Sequence, residues 1–156
     1  MMRTRFTMAR GALLLHVAMA LSLLARPAGA QTVGVRAGVS GDPGQFYFGG
    51  HAETGALVDR VHFRPNIEIG VGDNTTISAF NVEFAYRFAS SKPWHVYAGA
   101  GPALNIIHRR GVTNAEAGFN VLVGLQHEGG LLVELKAGAI DSPRVRFGVG
   151  YAFRWP

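Results

Sequence analysis

Cysteine is absent from the 156 residues. Disulfide stapling and thiolate chemistry are therefore excluded, and the fold must be held by backbone pairing and burial alone. An excess of one charge is lacking too, once the ends are separated. The formal charge of +5 is concentrated at the start, where Arg3, Arg5, Arg10 and Arg26 occur with no acid among the first 30 residues. The remainder is nearly neutral, with eleven basic against ten acidic residues. A basic stripe of the kind that binds nucleic acid is thus not available. Beyond residue 30 no segment shows a convincing helical period, which excludes a helical bundle.

What is present begins with a leader. MMRTRFTMAR is basic, GALLLHVAMALSLLA is apolar, and Ala28-Gly29-Ala30 is a small-x-small site. The apolar run is short for a bilayer span, which needs about 20 residues. Residues 1–30 are expected to be a cleaved signal peptide, and 31–156 a single domain. A retained membrane anchor is the alternative for the leader.

The domain itself is written in period 2. Eight strands are predicted, at 32–40, 45–53, 60–71, 75–88, 94–106, 116–127, 130–140 and 143–155. They are separated by SGDPG, ETGALVD, GDNT, SSKP, HRRGVTN, HEGG and DSP, each carrying turn-forming residues. In 60–71 the apolar set Val61, Phe63, Pro65, Ile67, Ile69 and Val71 alternates with His62, Arg64, Asn66, Glu68 and Gly70. In 75–88, Phe80, Val82, Phe84, Tyr86 and Phe88 alternate with Ala79, Asn81, Glu83, Ala85 and Arg87. The chain closes on Val145, Phe147, Val149, Tyr151, Phe153 and Trp155, with Arg146, Gly148, Gly150, Ala152 and Arg154 between them.

An even number of antiparallel strands with one apolar face can close into an up-and-down barrel and abolish its edges. Two kinds of barrel share the pattern. A soluble lipocalin-like carrier turns the apolar face inward; a transmembrane barrel turns it toward lipid and keeps the polar face in the lumen. A solvated face would be rich in Lys, Glu and Thr. Here it is mostly Gly, Ala and Asn with a few charges of both signs, which suits the crowded lumen of an eight-strand barrel. The expected class is therefore an all-β, eight-stranded antiparallel transmembrane barrel. The apolar face of the last strand then meets lipid, and Tyr151, Phe153 and Trp155 belong to an aromatic girdle.

The closing YAFRW resembles the C-terminal signal of bacterial outer-membrane barrels, although those signals stop on the aromatic and this chain adds Pro156. Residues 63–155 are more widely similar to small outer-membrane β-barrel proteins of unassigned role, the OmpA-like and OmpX-like eight-strand barrels. The stretches that carry the likeness are FRPNIEIGVGDNTT, FNVEFAYRF, YAGAGPALNI, GFNVLVGLQ and LKAGAIDSPRVRFGVGYAF. The resemblance implies the outer membrane of a Gram-negative cell, contact with lipid and lipopolysaccharide, and passage through the barrel-insertion machinery. It implies a porin-like architecture and a monomer. It implies no activity.

The lumen holds the candidate chemistry. A hairpin tip at Asp73-Asn74 pairs Gly72 with Thr75, and so sets Arg64 opposite Glu83 and Asn66 opposite Asn81. Arg64 and Glu83 are expected to form a charge-assisted pair, joined by Glu68, Arg87, Glu134, Lys136, Arg144 and Arg146. Such a cluster could be a proton path, an ion filter or a catalytic centre. The plainer reading is a salt-bridge plug, because buried charges must be paired. Arg109 and Arg110, in HRRGVTN, would face lipopolysaccharide phosphates if the chain ends are periplasmic; a solvated loop tip is the alternative. Metal ligation would need three or four converging ligands, a spacing that His51, His62, His95, His108 and His127 do not show. A lipid A-modifying enzyme would need a base beside a nucleophile. Ser40 and Ser78 have no His two residues away. No enzyme activity, metal or cofactor is expected.

Overall fold

The computed structural model describes residues 32–154 apart from 73, 91 and 92. The expected leader, the hairpin-tip Asp73 and the terminal Trp155 and Pro156 lie outside the described residues. Among the described residues are nine strands: β1 (Thr32–Gly41), β2 (Gln45–Glu53), β3 (Ala56–Val58), β4 (Val61–Gly72), β5 (Thr75–Arg87), β6 (Trp94–Arg109), β7 (Val112–His127), β8 (Leu131–Ile140) and β9 (Val145–Arg154). All pairings are antiparallel. The order β2-β1-β9-β8-β7-β6-β5-β4 is closed by a further ladder between β2 and β4. Eight strands therefore form a barrel, and β3 lies outside the closure, paired only with β4.

The strand-forming residues sit where pleating needs them. Positions of one parity point inward and are buried; the other parity carries Val, Ile, Leu and aromatics and is exposed. In β4, Arg64, Asn66 and Glu68 are buried while Ile67 is 51% exposed. In β5, Asn81 and Glu83 are buried while Phe80, Val82 and Phe84 are more than 40% exposed. The polar face is thus inside and the apolar face outside, the reverse of a soluble carrier. One strand slipped by a single residue would exchange every side chain between these surroundings, which is why register is strongly specified.

Two departures from the expected elements have physical causes. First, ETGALVD, read as a turn, contains β3. The β2–β4 ladder ends at His51↔Asn66. The next residue on β4 is Pro65, which has no N–H to give a ladder. Beyond it the outer edge of β4 is satisfied locally. The Thr54 amide donates to the Phe63 carbonyl at 3.0 Å, and β3 pairs with Val61 and His62. Second, HRRGVTN is not a loop. β6 and β7 run through it to a two-residue turn at Arg110-Gly111, with φ of +49° and +82°. Glycine tolerates that left-handed conformation at no steric cost, and the mirror-image turn matches the twist of the flanking strands. β7 meets β8 only from Phe119 onward. The tip of the β6–β7 hairpin therefore stands above the shorter side of the rim.

Single cysteines on β4 and β5 in a lipid-inserted barrel should separate the two faces. A lipid-side reagent is expected to modify positions 67 and 82 strongly and positions 66 and 81 hardly at all. The opposite labelling would overturn the inside-out arrangement.

Candidate functional site

The lumen is filled from the walls inward. Tyr97 (β6) lies across Gly124 (β7), where an added Cβ would strike its ring, and Tyr47 (β2) lies across Gly148 (β9) in the same way. Large residues on one strand thus occupy the space that glycine leaves on another, as an eight-strand barrel requires.

Between the two tyrosines lies a layer of charge. Among the described residues, four acids, Glu53, Glu68, Glu83 and Glu134, and four bases, Arg36, Arg64, Lys136 and Arg146, are buried in the lumen. Their charges cancel. Arg36 from β1 reaches across to Glu134 on β8 at 2.7 Å and to Glu68 on β4 at 3.3 Å. Lys136 on β8 contacts Glu83 on β5 at 2.7 Å and Glu68 at 3.0 Å. Arg146 on β9 pairs with Glu68 as well. Arg64 lies 3.0 Å from Glu53 and 3.4 Å from Glu134, and its guanidinium sits 4.4 Å from the centre of the Tyr97 ring. The Tyr97 hydroxyl donates to Glu134 at 2.8 Å. Glu53 also binds Arg87 at 2.5 Å, near the end of the lumen that carries the chain termini.

An amide chain runs beside the charges. Asn120 donates to Asn81 at 2.8 Å, Asn81 to Asn66 at 2.7 Å, and Asn66 to a carboxylate oxygen of Glu83 at 2.7 Å. Glu83 is therefore held by an amide donor and an ammonium together, the kind of satisfaction a buried carboxylate needs.

Of the residues expected in this network, Arg64, Glu68, Glu83, Arg87, Glu134, Lys136 and Arg146 are brought together. Arg144 is not: its side chain is 81% exposed and pairs with Asp42 at 3.1 Å at the rim opposite the termini. It precedes β9, so the strand's alternation does not carry it inward. The expected Arg64–Glu83 pair also needs correction. The register is as expected, Arg64↔Glu83 and Asn66↔Asn81, but the two charges do not bond each other. Across so narrow a lumen the opposite wall competes with the neighbouring strand. Lys136 takes Glu83, and Glu53 and Glu134 take Arg64.

Arg36, Tyr47 and Glu53 were not anticipated, and His51 was weighed only as a metal ligand. They share the inward parity of β1 and β2, between Val33, Val35, Phe46 and Phe48. That alternation is legible in the sequence and would have found them. Arg109 ends β6, and its Nε donates to the Thr75 hydroxyl at 2.9 Å; Arg110 occupies the turn. Among the described residues no group of three or more His, Cys, Asp or Glu converges as a metal site.

This geometry defines a class: a closed eight-stranded barrel of the transmembrane kind, with a polar filled interior. Solved structures agree on the fold. The chain is similar to the N-terminal β-barrel domain of Pseudomonas aeruginosa OprF, at 13% identity and a TM-score of 0.63, over 81% of this chain and 97% of that one. It is similar to Neisserial surface protein A at 13% identity and a TM-score of 0.60, over 82% and 100%. A de novo designed transmembrane β-barrel matches at 15% identity and a TM-score of 0.57, over 82% and 98%. No family model and no curated protein matches the chain. The likeness is one of fold, that of outer-membrane β-barrels.

The ion-pair assignment makes a stability prediction. Glu83→Ala should destabilise the barrel by up to about 3–5 kcal/mol, the cost of breaking a buried pair, at the lower end because Glu68 still holds Lys136. Lys136→Met should cost a similar amount, and the double variant markedly less than the sum. Urea unfolding of the folded barrel in detergent reads all three. Strict additivity would mean that the pair does not form.

Proposed function

We propose that this protein is an outer-membrane barrel with a structural and envelope-contact role, and that its lumen is a plug. The observation that carries this reading is the matching of four buried acids by four buried bases within the lumen. A proton relay or an ion filter works through a group whose charge is left available. Here each carboxylate has at least one cationic partner within 3.4 Å. Side chains from both walls meet across the centre, so a continuous aqueous path is closed.

The same reading assigns no catalysis to the lumen. Its chemistry is that of carboxylates, guanidiniums and amides engaged with one another, and no nucleophile paired with a base is assigned there among the described residues. With the chain ends in the periplasm, the β6–β7 tip lies at the outer rim. Arg109 and Arg110 then face the phosphates of lipopolysaccharide, to which a planar guanidinium binds in bidentate fashion. The barrel acts as a monomer anchored by its apolar wall, after export with loss of the leader and insertion by the barrel machinery.

Two measurements test this. In planar bilayers the purified barrel is expected to give little or no steady conductance; a large stable conductance in most insertions would contradict the plug. Replacing Arg109 and Arg110 by Ala should weaken binding to lipopolysaccharide micelles and leave binding to dephosphorylated micelles unchanged. Equal binding by both proteins to both micelles would remove the assigned contact.

A further inference from the structure

The outer wall carries a concave place that the plug does not explain. A groove of about 810 Å³ crosses β1, β2, β4 and β5 on the lipid side. That volume lies within the roughly 300–1,000 Å³ of small-molecule sites. The small residues Gly50, Ala52 and Pro65 line it together with the larger Val35, Phe48 and Phe80. Along β4 it extends from Pro65 to Ile69, about 13 Å at ~3.3 Å per residue.

Gly50 makes the groove, and nothing inside the barrel asks for glycine there. A Cβ at the neighbouring Gly49 would strike the Ile67 carbonyl, and one at Gly34 would strike the His51 ring. At Gly50 the nearest atom would be the Gly34 carbonyl oxygen at 3.5 Å, ordinary contact. Gly50 points outward, on a strand whose other outward residues include Phe46 and Phe48, both at least 50% exposed. A large apolar residue would fit and would fill the hollow.

We propose that this groove seats one acyl chain of a phospholipid. The occupant follows from the surroundings. The groove is continuous with the apolar belt of the barrel, and its outward side chains offer no hydrogen-bonding group, so it suits a body that is apolar along its length. A second copy docked about a two-fold axis would set hollow against hollow, because such an interface uses the same patch twice. The groove takes in Val33 and Val35 near the start of β1 and Phe48–Ala52 in the second half of β2. It therefore lies toward the terminal side of the barrel. With the ends periplasmic, a placement that rests on the function proposed above, that side is the phospholipid leaflet. In a bilayer, apolar contact alone gives no preference for one site over another; close packing does.

The test uses the full barrel, extracted from vesicles of phosphatidylethanolamine and phosphatidylglycerol into mild detergent and weighed by native mass spectrometry. Heat-modifiable migration reports folding separately, so loss of the barrel is distinguishable from loss of the site. The wild-type barrel should retain a single phospholipid. Gly50→Leu should lower that occupancy about tenfold, equivalent to about 1.4 kcal/mol. Ala52→Leu fills the same hollow and should do likewise if Gly50→Leu fails to fold. Ala100→Leu, the same enlargement on the outward face of β6, should keep the lipid. Retention unchanged by Gly50→Leu or Ala52→Leu, or no retention by the wild type, would overturn the proposal. So would cross-linked dimers through a cysteine at position 50, or lipopolysaccharide as the retained molecule.

Discussion

The interior of this molecule answers to the narrowness of an eight-strand lumen. Such a barrel encloses little more than its own inward side chains. Each inward position must be small, or large against a small neighbour, or charged with its partner already present. The glycines under Tyr97 and Tyr47 satisfy the second condition. The four buried acids and four buried bases satisfy the third. A charge left alone in that space would cost several kcal/mol.

The same narrowness decides which charges meet. In a wide sheet the cross-strand neighbour is the natural partner. Here Lys136 from the far wall lies 2.7 Å from Glu83, although Arg64 is the residue directly opposite on the next strand. Glu68 gathers Arg36, Lys136 and Arg146 from three strands. The network thus ties β1, β8 and β9 to β4 through side chains, while the backbone ladders tie each strand only to its neighbours.

Most of the fold was legible because period 2 is a strong signal and the faces differ sharply in chemistry. Arg64, Asn66 and Glu68 alternate with Pro65, Ile67 and Ile69, and the short tip after Gly72 carries enough information to set the register with Asn81 and Glu83. What could not be read was partner choice across the lumen. It depends on strand stagger around the closed barrel, which no local pattern records. Arg144 was misplaced because it sits one residue before β9 begins, and β3 was missed because its three residues are too few to show alternation. Pro65 was read only as one more apolar member of its face; the interruption it makes in the ladder needed the neighbour on its other side.

That interruption bears on how the wall yields. The β2–β4 ladder has six pairs, against twelve between β4 and β5 and ten between β1 and β9, where the two ends of the domain meet. The seam that closes the chain on itself is therefore not the weak one. Local opening starts where the fewest backbone bonds must be lost. The amide hydrogens of Phe46–His51 that point toward β4 would exchange with solvent deuterium before those that join β1 to β9, so that this barrel loosens from within its sequence and holds fast at its ends.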